Sequence, residues 1–187
     1  MTDPAFFKTV YDREACEIGM IHIGFGAFHR AHQAVYVDDY MQATGDLRWG
    51  IAAVNLRAAD SASFAKAAEA DEGYLLKSIS PDGTLEFRAV RSHLAFVDAA
   101  QNLEDALELF ARAKTCATTI TVTESGYTFN EDWSLDLEAP SIQADLSATH
   151  PQTIYGFLAL ALKRRMETAN APMTIMCCDN IRNNGRV

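Results

Sequence analysis

The spacing of apolar positions changes several times along the chain, and each change marks an element. Residues 20–24 (MIHIG) form a short apolar run ending in glycine, the pattern of a buried strand. From about 28 to 44, apolar residues return at helical spacing, among them Phe28, Ala31, Val35, Tyr36 and Met41, and Gly45 supplies a stop. Residues 50–56 (GIAAVNL) are almost wholly apolar, as a strand covered on both faces should be. An Ala-rich helix is predicted over about 60–70, with Asp60 or Ser61 as its cap. Two extended segments, 74–80 and 84–97, flank Pro81-Asp82-Gly83, a turn in which Pro presets φ and Gly accepts a positive φ. They predict a β-hairpin within or beside the sheet, over about 73–97. A helix over 103–114 and a β-branched strand over 118–123 follow. Residues 127–150 show no period and are expected to be irregular. Pro151 suits the first position of a helix reaching about 168, and a last strand is predicted over 173–177.

Strands that alternate with helices predict an α/β fold, Rossmann-like and doubly wound, with a mostly parallel sheet and an inserted β-hairpin. The 187 residues suit a single domain, with 1–19 as a lead-in. Hydrophobic residues make up 49%, enough for a core. A net charge of -9 argues against a nucleic-acid surface, since phosphate binding needs clustered Lys and Arg. No apolar run reaches the roughly 18 residues that span a bilayer, so no membrane partner is expected. Residues 1–19 carry acids and lack the apolar core of an export signal. Cys16, Cys116, Cys177 and Cys178 form no C-x-x-C pair, which points to thiols in a reducing, cytoplasmic compartment. Cys177 and Cys178 should face opposite sides of a strand and serve as small buried residues.

The sharpest chemical signal is Gly24-Phe25-Gly26-Ala27-Phe28, directly after a predicted strand and opening a helix. Here the first Gly permits a tight turn, and the second lets the backbone approach a pyrophosphate. The helix start offers unpaired N–H groups to the phosphates. His29 stands where a third Gly is usual, which should hold the helix further from the strand. Two glycines in such a turn also occur with no ligand at all. At the end of the second strand no acid is placed to read the adenosine ribose. Arg57 could meet a 2′-phosphate or be a solvated loop cation, and Asp60 could cap the helix or reach the ribose. His29 and His32 should share a helix face, but no further ligand accompanies them and no metal site is expected. Thr123 and Glu124 follow the strand at 118–123, where strand ends line a ligand crevice. Glu124 could relay protons or hold a loop. Asn180, Asn183 and Asn184 follow the last strand, where amide side chains can donate to an oxyanion or simply form a turn.

Taken in order, IHIGFGAFHRAHQ at 21–33, NLR at 55–57, the PDG hairpin, TVTESGY at 121–127 and CDNIRNNG at 178–185 resemble the mannitol dehydrogenase family of long-chain polyol and sugar-acid dehydrogenases. The resemblance covers nearly the whole chain. It implies an NAD(P)-binding domain of an enzyme that moves a hydride, without a metal, between NAD or NADP and a polyol or sugar acid of the mannitol/fructose or mannonate/fructuronate type. It assigns Gly24, Phe25, Gly26, Ala27, Phe28, Arg57, Thr123 and Asn180 to the cofactor. It assigns Asn184 to holding the alkoxide and Glu124 to proton passage. The general-base Lys of the family lies in a C-terminal helical domain expected to be absent here, so the chain alone should not turn over substrate. The alternative is a stand-alone nucleotide-binding or interaction module without catalysis. Ser125 departs from the family, which usually has a basic residue or Gly there, and the second-strand end does not choose between NAD and NADP.

Overall fold

Every residue of the strand Gly50–Asn55 is buried, because it has a parallel neighbour on each side and packed layers over both faces. The computed structural model describes residues 5–70, 72–123 and 126–181. Along the chain the elements are β1 (Ala5–Lys8), β2 (Ile18–Ile23), α1 (Ala27–Ala31), α2 (Gln33–Thr44), β3 (Gly50–Asn55), α3 (Ser61–Ala68), β4 (Tyr74–Ile79) and β5 (Leu85–Val90). They continue with β6 (His93–Asp98), α4 (Leu103–Ala111), β7 (Ala117–Ile120), α5 (Pro140–Ser147), α6 (Ile154–Glu167) and β8 (Thr174–Cys177).

The main sheet has the order β6-β3-β2-β7-β8, and all four pairings are parallel. This is the doubly wound α/β architecture that the sequence predicts. Side chains alternate between faces, so Ile21 and Ile23 of β2 join Ala52 and Val54 of β3 under α4 and α6. Met20 and Ile51 point the other way, toward Ala34 of α2 and Val90 of β5. From β2 the chain winds outward through β3 to β6, then crosses back to β7 and β8. Strand order therefore reverses between β2 and β7, and a crevice opens beyond their C-terminal ends.

Four elements differ from the sequence expectation. The helix predicted over 28–44 is two helices, broken at His32, whose φ of -124° and ψ of -82° are not helical. The predicted hairpin is shorter than 73–97: β4 and β5 pair antiparallel, but β6 leaves them and joins β3 in the main sheet. The lead-in also contributes a strand, because β1 pairs parallel with β5. Buried Asp38 of α2 holds this region, accepting from Thr9 Oγ1, Tyr11 Oη, Arg88 Nη2 and the Arg91 amide. Finally, 127–150 is not wholly irregular. Pro140 opens α5, and Asp145 of that helix captures the amides of Gln152 and Thr153. Thr153, not Pro151, then caps α6 by accepting from the Gly156 amide.

Candidate functional site

The turn after β2 lies at the reversal point. Gly24 has φ 102° and donates its amide to the Val54 carbonyl, and a Cβ there would collide with the Thr121 carbonyl oxygen of the next strand. Only glycine suits both demands. Gly26 is different. An ideal Cβ on it meets nothing within 4 Å, so the space above its backbone is open. Gly26, Ala27 and Phe28 are exposed. The first N–H groups of α1, which directly follows Gly26, have no carbonyl a turn earlier to accept them. α1 has only five residues, so what it offers is its unpaired N–H groups and not a macrodipole. Phe25 faces inward, edge-on to Phe64, Tyr74, His93 and Phe96, with the Arg30 guanidinium 5.3 Å from its ring. Phe28 stacks on His32 at the surface.

Beneath the turn lies a buried histidine network that the motif does not announce. His29 sits where a third glycine is usual, and its ring stacks on His22 of β2 at 3.4 Å. The ring itself fills the gap between helix and strand. His29 and His32 do not share a face, since the break at His32 leaves His29 buried and His32 exposed. Donors and acceptors sort in one consistent way. Thr119 Oγ1 donates to Gln33 Oε1, so His29 Nδ1, at 2.9 Å from the same oxygen, carries a proton. His29 Nε2 then accepts from His93 Nε2 at 2.8 Å. His22 Nδ1 donates to Thr119 Oγ1 at 2.7 Å, and its Nε2 accepts from Thr121 Oγ1 at 3.0 Å. Burial pushes all three rings toward neutrality, with His29 lowered to about 4, His93 to about 3 and His22 to about 2. A polar residue inside an otherwise apolar strand, His22 in MIHIG, is the signal that could have revealed this network.

On one flank, Asn55 closes the end of β3. Its amide group donates to Asp98 of β6 and to the Arg57 carbonyl, and its oxygen accepts the Arg57 amide. Arg57 is exposed beyond that turn and pairs with Asp60 at 3.5 Å. Asp60 makes no side-chain cap to α3. Cation and acid therefore both stand where the ribose of a dinucleotide is expected.

On the other flank, the ladder of β7 and β8 runs one step further, with the Cys178 amide donating to the Ile120 carbonyl. Asp179 then accepts the Val122 amide at 3.1 Å, the Thr123 amide at 3.2 Å and Tyr127 Oη at 2.5 Å. Burial and this carboxylate raise the Tyr127 pKa well above the ordinary phenol. Thr123 has φ 71°, unusual for a β-branched residue, and Asn180 is exposed beside Asp179. Thr123 and Asn180 thus stand at neighbouring strand ends. Glu124 and Asn184 lie outside the described residues. Asp179 and Tyr127 carry no role in the sequence reading, although both fall inside its motifs.

A mainly apolar cavity of about 710 Å³ begins at Phe28, Thr121 and Cys178 and runs along α2 to Tyr40 and Trp49. Among the described residues, no three His, Cys, Asp or Glu side chains are grouped so as to hold a metal ion. No helix among them is long and apolar enough to cross a membrane.

The chain is similar to known proteins in sequence and in fold. The family model described as the mannitol dehydrogenase Rossmann domain matches residues 18–187. The chain is 38% identical over 181 residues to mannitol 2-dehydrogenase of Pyricularia oryzae, a match covering 95% of this chain and 36% of that protein. It is 40% identical over 166 residues to D-arabinitol 4-dehydrogenase of Klebsiella pneumoniae, covering 88% of this chain and again 36% of the relative. Among solved structures, mannitol 2-dehydrogenase of Pseudomonas fluorescens, in ternary complex with NAD and D-mannitol, aligns with a TM-score of 0.89 at 30% identity. That alignment covers 98% of this chain and 38% of the other. Substrate-free D-sorbitol dehydrogenase aligns at 0.87 and 32% identity, covering 97% of this chain and 38% of the other. The chain therefore spans just over a third of the length of these relatives.

Proposed function

The chain belongs to the mannitol dehydrogenase family, and we propose that it is the part of an oxidoreductase that binds NAD or NADP for hydride exchange with a polyol or sugar acid. The observation that carries this is the Gly24–Phe28 turn at the point of strand reversal, with open space over Gly26 and a helix starting directly after it. That space is open to a pyrophosphate, since among the described residues nothing lies within 4 Å of a Cβ built on Gly26. The P. fluorescens relative was solved with NAD and D-mannitol, which supports the same ligand classes here.

In this proposal residues 1–187 form one dinucleotide-binding domain. The Gly26–Phe28 backbone holds the pyrophosphate. Arg57 and Asp60 border the adenosine ribose, and their pairing leaves either cofactor admissible. Thr123 and Asn180 flank the nicotinamide half. When bound, the cofactor supplies or accepts the hydride. The substrate carbinol loses that hydride and its hydroxyl proton and becomes a carbonyl. By the family resemblance, Asn184 holds the alkoxide oxygen, Glu124 serves proton passage, and no metal takes part. None of the matched motifs carries the general-base Lys, so this chain is expected to bind cofactor without turnover. The four cysteines form no C-x-x-C pair, and a reducing, cytoplasmic setting is part of this proposal.

A steady-state assay of the 187-residue chain with mannitol, fructose and hexuronates, beside an NADH titration, tests the proposal. Binding without turnover is expected. Turnover at the rate of an ordinary dehydrogenase would place the catalytic base within these residues, and absence of NADH binding would remove the cofactor role.

A further inference from the structure

One side chain reaches across the two strand ends that flank the nicotinamide half in the proposed site. Asp179 stands two residues after β8, and its carboxylate reaches across to the segment leaving β7. Oδ2 accepts the Val122 amide and Oδ1 the Thr123 amide, so two successive N–H groups converge on one anion. Directly after these two amides the backbone turns, with Thr123 at a φ of 71°. A threonine holds that conformation only where its surroundings over-determine it. The turn is closed by the Gly126 amide donating to the Thr123 carbonyl. Tyr127 Oη then returns to the same carboxylate, 2.9 Å from Cys177 Sγ at the end of β8. Asp179 thus fastens Val122, Thr123 and Tyr127 to the end of β8. Its own backbone leads directly into Asn180.

We infer that Asp179 is a positioning residue for the nicotinamide half of the bound dinucleotide. It holds Thr123 in its left-handed conformation and fixes the spacing between Thr123 and Asn180 across the ends of β7 and β8. This rests on the cofactor role proposed above. The adenosine half lies over the other side of the sheet, where Asn55 and Asp98 pin the strand ends independently. A defect at Asp179 therefore divides the ligand: the nicotinamide end loses its seat and the adenosine end keeps its own.

That division gives a readout which loss of folding cannot imitate. NADH and ADP are titrated against the 187-residue chain and its Asp179→Ala, Asp179→Asn and Tyr127→Phe variants, with thermal midpoints recorded for each. Asp179→Ala is expected to weaken NADH by about tenfold, the scale of hydrogen bonds to a charged group, with ADP within about twofold of wild type. Asp179→Asn keeps one acceptor and is expected to lie between. Tyr127→Phe removes one tether and is expected to cost a few-fold on NADH alone. Should the Ala variant fail to fold, the Asn and Phe variants carry the comparison. NADH and ADP weakening together would show a merely structural residue and overturn the inference. So would unchanged NADH affinity in a folded Ala variant, or wild type binding NADH no more tightly than ADP. If wild type bound neither ligand, the cofactor proposal itself would fall.

Discussion

The turn after β2 and the ends of β7 and β8 border the same crevice, yet they are held in different ways. The turn rests on packing. Phe25 is wedged among Phe64, Tyr74, His93 and Phe96, and His29 lies flat on His22. The strand ends rest on hydrogen bonds gathered at one carboxylate, Asp179, beside a strand that is mostly exposed. Packing spreads the load over many contacts, so no single polar change should undo the turn. A carboxylate tether concentrates it. The turn that the proposal gives to the phosphates is held by many contacts, and the strand ends it gives to the nicotinamide gather several of theirs at one carboxylate.

The largest expected effect breaks the packed side of that contrast. Gly24→Val should destabilise the protein by about 3 kcal/mol or more, because a positive φ and a collision with the Thr121 carbonyl act together. Thermal unfolding measures it, and an unchanged midpoint would mean that the turn is not packed as described.

A second effect comes from the histidines. Their folded pKa values lie below the ordinary histidine value, so the unfolded chain binds protons that the folded chain refuses. Their neutral network is intact above about pH 6.5. As pH falls below that, stability should drop by up to roughly 1.4 kcal/mol per pH unit for each histidine, until the folded values near 4, 3 and 2 are reached. Urea titrations at pH 7.5, 6 and 5 should show it. A chain as stable at pH 5 as at pH 7.5 would contradict the buried network. His22 bonds Thr119 and Thr121 at the end of β7, so acid should loosen the turn together with that strand end.

The smallest effect concerns cofactor choice. Arg57 is exposed and already paired with Asp60, so its bonds to a 2′-phosphate would be partly screened. Arg57→Ala is expected to weaken NADPH a few-fold and NADH less, measured by parallel titrations. Equal loss for both cofactors would return Arg57 to the role of a solvated loop cation.

The sequence carries the parts of the fold that depend on period and on special backbone. Gly24 is legible because a strand-to-helix turn with a positive φ needs it, and Gly26 stands out because the fold leaves room there for a Cβ it does not carry. The apolar run at 50–56 is legible because burial on both faces leaves little freedom of composition. The break at His32 is hidden, since the apolar spacing continues through it. α5 is hidden because it buries only Ile142 and so shows no period. β6 is masked by β5, as the two run together in sequence and part only in space. Asp179 is hidden for another reason: its partners are backbone amides and a tyrosine far along the chain, and spacing cannot name them.

Gly26→Val tests the cofactor role most directly, because the protein itself has room for the side chain. NADH is titrated by fluorescence against wild type and Gly26→Val, with thermal midpoints for both. The expected result is a wild type that binds NADH and a variant of near-normal midpoint that binds at least about tenfold more weakly, its valine standing where the pyrophosphate must approach. Equal NADH binding by two folded proteins would contradict the assignment of this turn to the dinucleotide.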